Sequence, residues 1–159
     1  MSIKALQSDL RRYEADSRSA TGDIAAESLV IMGIDARLLG KNAQLAQARG
    51  VLSQCEGLRG KAETLDLAAE NAGSMLDAAM GEGTAKAAAT TLTAGNADLV
   101  EQSVTGANSI ISTLQGDIDA LSTQRADAVD RRKSAESRKS TADRQAARVR
   151  QKLIAGTSK

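Results

Sequence analysis

The sequence predicts an all-α fold, a long antiparallel helical hairpin or coiled coil. Seven of the eight residues spaced by seven from Ile3 to Leu52 are large and aliphatic, and a second, mixed row begins at Leu6. This 4-3 spacing is typical of one helix packed along another. The composition agrees, because 159 residues with no Pro, Trp or Phe and one Tyr suit thin helix-on-helix packing better than a compact globular core.

The first arm of the hairpin is predicted over residues 2–80. The hydroxyl of Ser2 can cap its first turn. After Cys55 the apolar residues step by three where four is due, which predicts a stammer, a local overwinding of the supercoil. We call the row of residues at the contact between the two helices the seam. After the stammer the seam comprises Leu58, Ala62, Leu65, Ala69, Ala72, Leu76 and Ala79.

The middle of the chain carries the clearest turn signal, Gly81-Glu82-Gly83, and we predict a turn over residues 81–84. The second arm follows over 85–155. Together the arms form a single helical domain, 1–155, and residues 156–159 are expected to be a disordered tail.

The second arm has its own seam, with three long cations, Arg125, Arg132 and Lys139, in phase with its apolar residues. With the tip of the hairpin near residues 82–83, residue i lies opposite about residue 165 − i, and Lys139 is then opposite Glu27. The alternative fold is a four-helix bundle, formed if glycines between 40 and 60 and at 95 break the arms.

The first helix is more apolar than one neighbouring helix requires, which indicates a further partner. We expect that partner to be another helical protein or a second copy of the chain, in a homo- or hetero-oligomer; an internal third or fourth helix is the alternative. The predicted protein interface comprises Ile24, Leu29, Ile31, Ile34, Leu38, Leu45 and Leu52.

Positive charge is concentrated near the C-terminus. Residues 125–159 carry 11 basic and 4 acidic side chains, whereas residues 1–124 carry 10 basic and 16 acidic ones. A basic helix of this kind can bind nucleic acid or an acidic membrane. The simpler interpretation is a solvated helix face that meets the acidic first arm. The basic patch comprises Arg131, Arg132, Lys133, Arg138, Lys139, Arg144 and Arg148.

The residues for catalysis or metal binding are scarce. With no His and one Cys, the chain lacks the usual zinc ligands, and no nucleophile with a base and an orienting group can be assembled. Tyr13 and Cys55 both fall on the seam and are interpreted as core. We therefore expect no catalytic residue, no metal site, no cofactor and no enzymatic activity.

No apolar run approaches the 18 or more residues that a membrane-spanning helix needs, and no signal peptide is recognisable. We expect a cytoplasmic protein, or one exported without a cleaved signal peptide. The compartment itself is not specified by these residues.

Two long helices around a glycine-containing turn, with few aromatics, resemble the WXG100 (ESAT-6-like) proteins of type VII secretion and the helical partners of LXG toxins. Gly81-Glu82-Gly83 stands where that family has Trp-x-Gly, and Ser17, the fifth residue of a stretch that begins at Tyr13, stands where the export motif Tyr-x-x-x-Asp/Glu has an acid. The resemblance implies a non-catalytic secretion partner or adaptor. A self-assembling filament or virion component is the second hypothesis, and the basic-helix binder is the third.

Overall fold

The computed structural model describes residues 2–80 and 84–157, and it contains two helices and no strand in these ranges. Helix α1 spans Ile3–Met80 and helix α2 spans Thr84–Thr157. They pack against each other as the predicted hairpin. The backbone N–H of Ala5 donates to the Ser2 hydroxyl at 3.3 Å, so Ser2 caps α1 as predicted.

Both helices run unbroken through their internal glycines, so the four-helix alternative is wrong. Gly40, Gly50, Gly60 and Gly95 are all helical. Each costs about 1 kcal/mol relative to Ala, but in a chain without Pro the flanking helix-forming residues carry the helix through them. The predicted turn lies largely outside the described residues. Helix α2 continues to Thr157, into the predicted tail.

The contacts divide the hairpin into two compact units, each formed by a stretch of α1 and a stretch of α2. Unit 1 comprises residues 1–39 and 119–159. Its core is built from aliphatic residues of α1 against mainly alanines of α2, and Ala128 and Ala135 are 0% exposed. Small side chains at these positions let the two backbones approach closely, which compensates for the missing aromatics. The buried apolar residues of unit 1 are Leu6, Ala20, Ile31, Ile34, Leu121, Ala128, Ala135, Ala142, Ala146 and Val149.

Unit 2 comprises residues 40–118 and has a thinner core. Among its described residues the buried apolar ones are Leu45, Val104, Ala107 and Leu114. The described residues of unit 2 therefore contribute less hydrophobic stabilisation than those of unit 1.

The seam does not shift after Cys55, so the predicted stammer is wrong. Leu58, Leu65 and Leu76 are at least half exposed, whereas Asp66 is half-buried and Gly73 is buried. Asp66 and Gly73 continue the seven-residue phase that begins at Ile3, and Ala62 and Ala69, which both phases share, are half-buried. Keeping that phase requires no overwinding of α1, and the three leucines are left at the surface.

The pairing of the helices differs from the predicted register. Glu27 binds Arg131 rather than facing Lys139, and Asp35 binds Arg125. In unit 2, Lys41 binds Asp117. Residue i thus lies opposite about residue 160 − i, five residues from the expected value, which assumed a tip at residues 82–83.

Candidate functional site

Most of the predicted interface is covered by the protein itself. Ile31, Ile34 and Leu45 are 8%, 6% and 6% exposed, because they form the seam against α2. Ile24, Leu38 and Leu52 are half-buried along the same seam. Leu29 alone among the seven is exposed, at 70%. Any partner of α1 must therefore bind a different face from the one predicted.

Such a face exists on the side of α1 that points away from α2. Residues spaced alternately by three and four, from Gly22 to Gly60, form a second row that we call the outer row. Every member is exposed and none is charged, although 26% of the chain is charged. The outer row comprises Gly22, Ala25, Leu29, Met32, Ala36, Leu39, Ala43, Ala46, Gly50, Ser53, Gly57 and Gly60.

The outer row changes in side-chain size along its length. Its large members, Leu29, Met32 and Leu39, lie in unit 1 and are 70%, 67% and 75% exposed. The members in unit 2 are all small, and a Cβ added at Gly50 or Gly57 would meet nothing within 4 Å. Within unit 1 the three large side chains therefore offer an exposed apolar surface to a neighbouring helix, and within unit 2 the small side chains allow close approach.

The amino-acid sequence carries a signal for this row. Leu29 is the one member of the row in the predicted interface, and the other six residues of that interface lie on the seam. The 3-4 alternation of uncharged residues on the opposite face of a charged helix marks the row independently.

The basic patch is largely paired with carboxylates. Arg131 donates two hydrogen bonds to Glu27, with Nε to Oε1 at 2.8 Å and Nη2 to Oε2 at 3.1 Å. Arg138 Nη2 donates to Asp23 Oδ2 at 2.9 Å. Both pairs join α2 to α1 within unit 1, so this part of the patch holds the hairpin together.

Other basic residues of the patch pair along α2 itself. Lys133 and Lys139 reach Asp130 and Asp143, at 3.5 and 2.7 Å. Arg132 Nε lies 3.3 Å from a Glu136 oxygen, but it is buried and makes no aligned hydrogen bond among the described residues.

Two members of the patch have no carboxylate partner in the described part of the chain. Arg144 donates to the backbone oxygen of Ser140 at 3.2 Å. Arg148 makes no ion pair with a carboxylate in the described part of the chain. The unneutralised part of the basic patch is thus small.

Asp143 joins the two helices of unit 1 as well. It accepts a hydrogen bond from Lys139 at 2.7 Å and one from the Ser17 hydroxyl at 2.6 Å. These bonds favour the charged carboxylate, first through Lys139 and then through Ser17, and they hold the pKa of Asp143 below its usual value.

Tyr13 is half-buried at the edge of the unit 1 seam. Arg12 donates a hydrogen bond from Nη2 to the Tyr13 hydroxyl at 3.0 Å, and its guanidinium carbon lies 4.9 Å from the ring centre. The hydroxyl bond is the main reason that the pKa of Arg12 is raised. Tyr13 thus combines a seam position with a solvated polar end.

Unit 2 also carries a shallow apolar groove between its two helices. Val51 and Ile110, 52% and 57% exposed, form its sides, and Ala48 and Leu114 contribute to its floor. The groove is a second exposed apolar feature of the described residues, besides the outer row.

The described residues contain no cluster of three or more side chains able to hold a metal ion. Neither helix has, in its described part, a segment apolar enough to cross a lipid bilayer. Comparison with known proteins gave no match: no protein family, no characterised protein and no solved structure is significantly similar to this chain.

Proposed function

We propose that this protein is a non-enzymatic interaction module that binds another helix along the outer row of α1. The observation that carries the proposal is the exposure of Leu29, Met32 and Leu39 in a charge-free row on the back of a helix whose front is already packed. Large exposed apolar side chains that share one helix face are typical of binding surfaces.

The charged surface favours this function over binding of nucleic acid or acidic membrane. Two cations of the basic patch, Arg131 and Arg138, already donate to carboxylates of α1. A phosphate would have to displace those carboxylates, and losing the two existing ion pairs would offset most of the electrostatic free energy gained by binding the phosphate. Arg132, Lys133 and Lys139 pair with carboxylates along α2. The two cations without a carboxylate partner in the described residues, Arg144 and Arg148, offer little charge for such binding.

A role as a secretion partner or adaptor is the specific form that the type VII resemblance implies. It stays a prediction, and it requires the same thing of the molecule, namely a helix face that accepts a helix from an exported protein. The outer row supplies that face.

The proposal is tested by photo-crosslinking in cells that produce the protein. A benzophenone amino acid replaces Met32 on the outer row or, as the control, Thr123 on the exposed face of α2. We expect a discrete crosslinked protein, or a crosslinked second copy, from position 32 and none from position 123. Equal labelling at the two positions, or no product at position 32, would refute the proposed function.

A further inference from the structure

We propose that two copies of this chain bind each other through one side of unit 2, the side on which its shallow apolar groove opens. The proposal concerns unit 2 alone and shares no residue with the outer row, so it stands apart from the proposed function. It is carried by the large aliphatic side chains that unit 2 leaves exposed, by the placement of its charges and by the area available for contact.

The apolar surface continues along the groove beyond Val51 and Ile110. On α1, Leu58 and Leu65 follow Val51 at intervals of seven residues, about two helical turns, so the three side chains point to the same side. On α2, Leu99 precedes Ile110 by eleven residues, about three turns, and shares its side for the same reason. All five residues lie in unit 2 and are between 52% and 67% exposed. We call the surface that they form the groove face.

The two sides of unit 2 differ in charge. Glu63 stands two residues before Leu65, which places it on the other side of α1. There Arg59 lies 3.8 Å from Glu63 and 3.7 Å from Glu101. Among the described residues that alternate with the members of the groove face on the same sides of the two helices, Lys61 is the one charged residue. The groove faces of two identical chains can therefore approach each other with little repulsion between like charges.

The exposed area is sufficient for a specific contact between two chains. The five side chains expose about 500 Å² in one copy, so a pair would remove about 1,000 Å² from water through them alone, the size at which protein interfaces become specific. The uncharged residues between them add to this area. Burial of this surface is favoured by the hydrophobic effect.

The shape of the groove face also accommodates a second copy. Gly106 lies between Leu99 and Ile110 on the same side of α2, and nothing lies within 4 Å of a Cβ built there. A large aliphatic side chain of the other copy can occupy this gap. The four helices would then enclose a shared core, which adds buried apolar surface to a unit whose own core is thin. Because both copies use the same surface, the contact is isologous and closes at two chains.

The decisive experiment is sedimentation equilibrium of the full chain and of two matched variants. The wild-type mass should rise from 16.5 kDa toward twice that value as the concentration increases. Leu58→Glu should weaken this association by about a hundredfold or more, because each dimer would bury the unpaired charge twice. Leu67→Glu is the control, since Leu67 is 64% exposed in the same unit but stands two residues after Leu65, on the other side of α1. Both variants should keep the helix content of the wild type in circular dichroism.

The salt dependence distinguishes apolar contact from ion pairing. Unit 2 carries 5 basic and 9 acidic residues, so salt screens the repulsion between two copies of it. Raising the salt concentration should therefore leave the association constant unchanged or increase it.

The position of the contact is mapped by alkylation of single cysteines in a Cys55→Ser background. A cysteine that replaces Leu99 should react quickly in dilute protein and more slowly as the concentration rises, because the second copy covers it. A cysteine that replaces Leu67 should react at the same rate throughout.

Several results would overturn the proposal. A wild-type chain that stays at 16.5 kDa at every concentration contradicts it, as does equal association of the Leu58→Glu and Leu67→Glu variants. Association that weakens as salt is added, or equal protection of positions 67 and 99, contradicts it as well. None of these measurements involves Met32, so crosslinking of Met32 to another protein in cells would still support the proposed function.

Discussion

Ile34 and Leu39 carry side chains of the same four carbons on the same helix and in the same unit, yet they are 6% and 75% exposed. Truncating each to alanine removes the same atoms from opposite sides of α1. Ile34→Ala should lower the free energy of unfolding by about 2–3 kcal/mol, the lower half of the range for buried Ile, because a seam one side chain deep can partly collapse. Leu39→Ala should change it by less than about 0.5 kcal/mol.

The assay is urea unfolding followed by far-ultraviolet circular dichroism, at a dilution where the mass is that of one chain. With a slope of about 2 kcal/mol per molar urea, the Ile34 variant should unfold about 1 M earlier than the wild type. The higher helix propensity of Ala works against this difference, so a shift of that size cannot come from propensity. Equal shifts for the two variants, or a larger shift for Leu39→Ala, would refute the assignment of the two faces.

Three further outcomes follow from the same contacts. Arg131→Ala should lower the free energy of unfolding by no more than about 1 kcal/mol, because the pair of Arg131 with Glu27 is partly exposed. The loss should shrink as salt is added, which urea unfolding at low and high salt measures. The pKa of Asp143 is lowered in the folded state, so its contribution to the free energy of unfolding is present above its ordinary pKa of 3.8 and is lost as the pH falls through the folded-state pKa. Asp143→Asn should therefore make the free energy of unfolding depend less on pH in the acid range, which urea unfolding at several pH values measures. Leu65→Ala should leave the melting temperature of the dilute protein nearly unchanged, because Leu65 is 67% exposed. A drop of many degrees would instead show that Leu65 packs in the seam, as the stammer predicted.

The sequence was sufficient to predict the fold class and much of the seam. A seven-residue apolar repeat can be satisfied in one way, by a helix lying along another helix, and Ile31, Ile34 and Leu45 are buried as that repeat requires. The second arm was predicted equally well, and Val104 and Leu121 are buried in phase.

The phase after residue 55 was not predictable by hydrophobicity alone. Leu58 and Leu65 are more apolar than Asp66 and Gly73, yet the two leucines are exposed and Asp66 and Gly73 are half-buried and buried. A continuous helix keeps its angular phase unless something rewinds it, and no residue there supplies the necessary energy. Local apolarity was therefore a weaker guide than the phase of the preceding seven heptads.

The exposed apolar face of α1 lies at other residues than most of the predicted interface. An extra apolar surface on α1 was expected from Leu29, but most of the residues assigned to it belong to the intramolecular seam. A sequence pattern alone does not say whether a given seam is filled by the same chain or by another. The hairpin decides this, because α2 occupies one face of α1 and leaves the outer row open.

The most direct test of the account is the alkylation rate of single cysteines placed at 31, 34, 32 and 39 in a Cys55→Ser background, measured over a range of protein concentrations. We predict that positions 31 and 34 are protected at every concentration, because α2 covers them. Positions 32 and 39 should react quickly, because α2 leaves them exposed. Fast reaction at 31 and 34 in the dilute chain, or protection of 32 and 39 there, would contradict the assignment of one face of α1 to the hairpin and the exposure of the other.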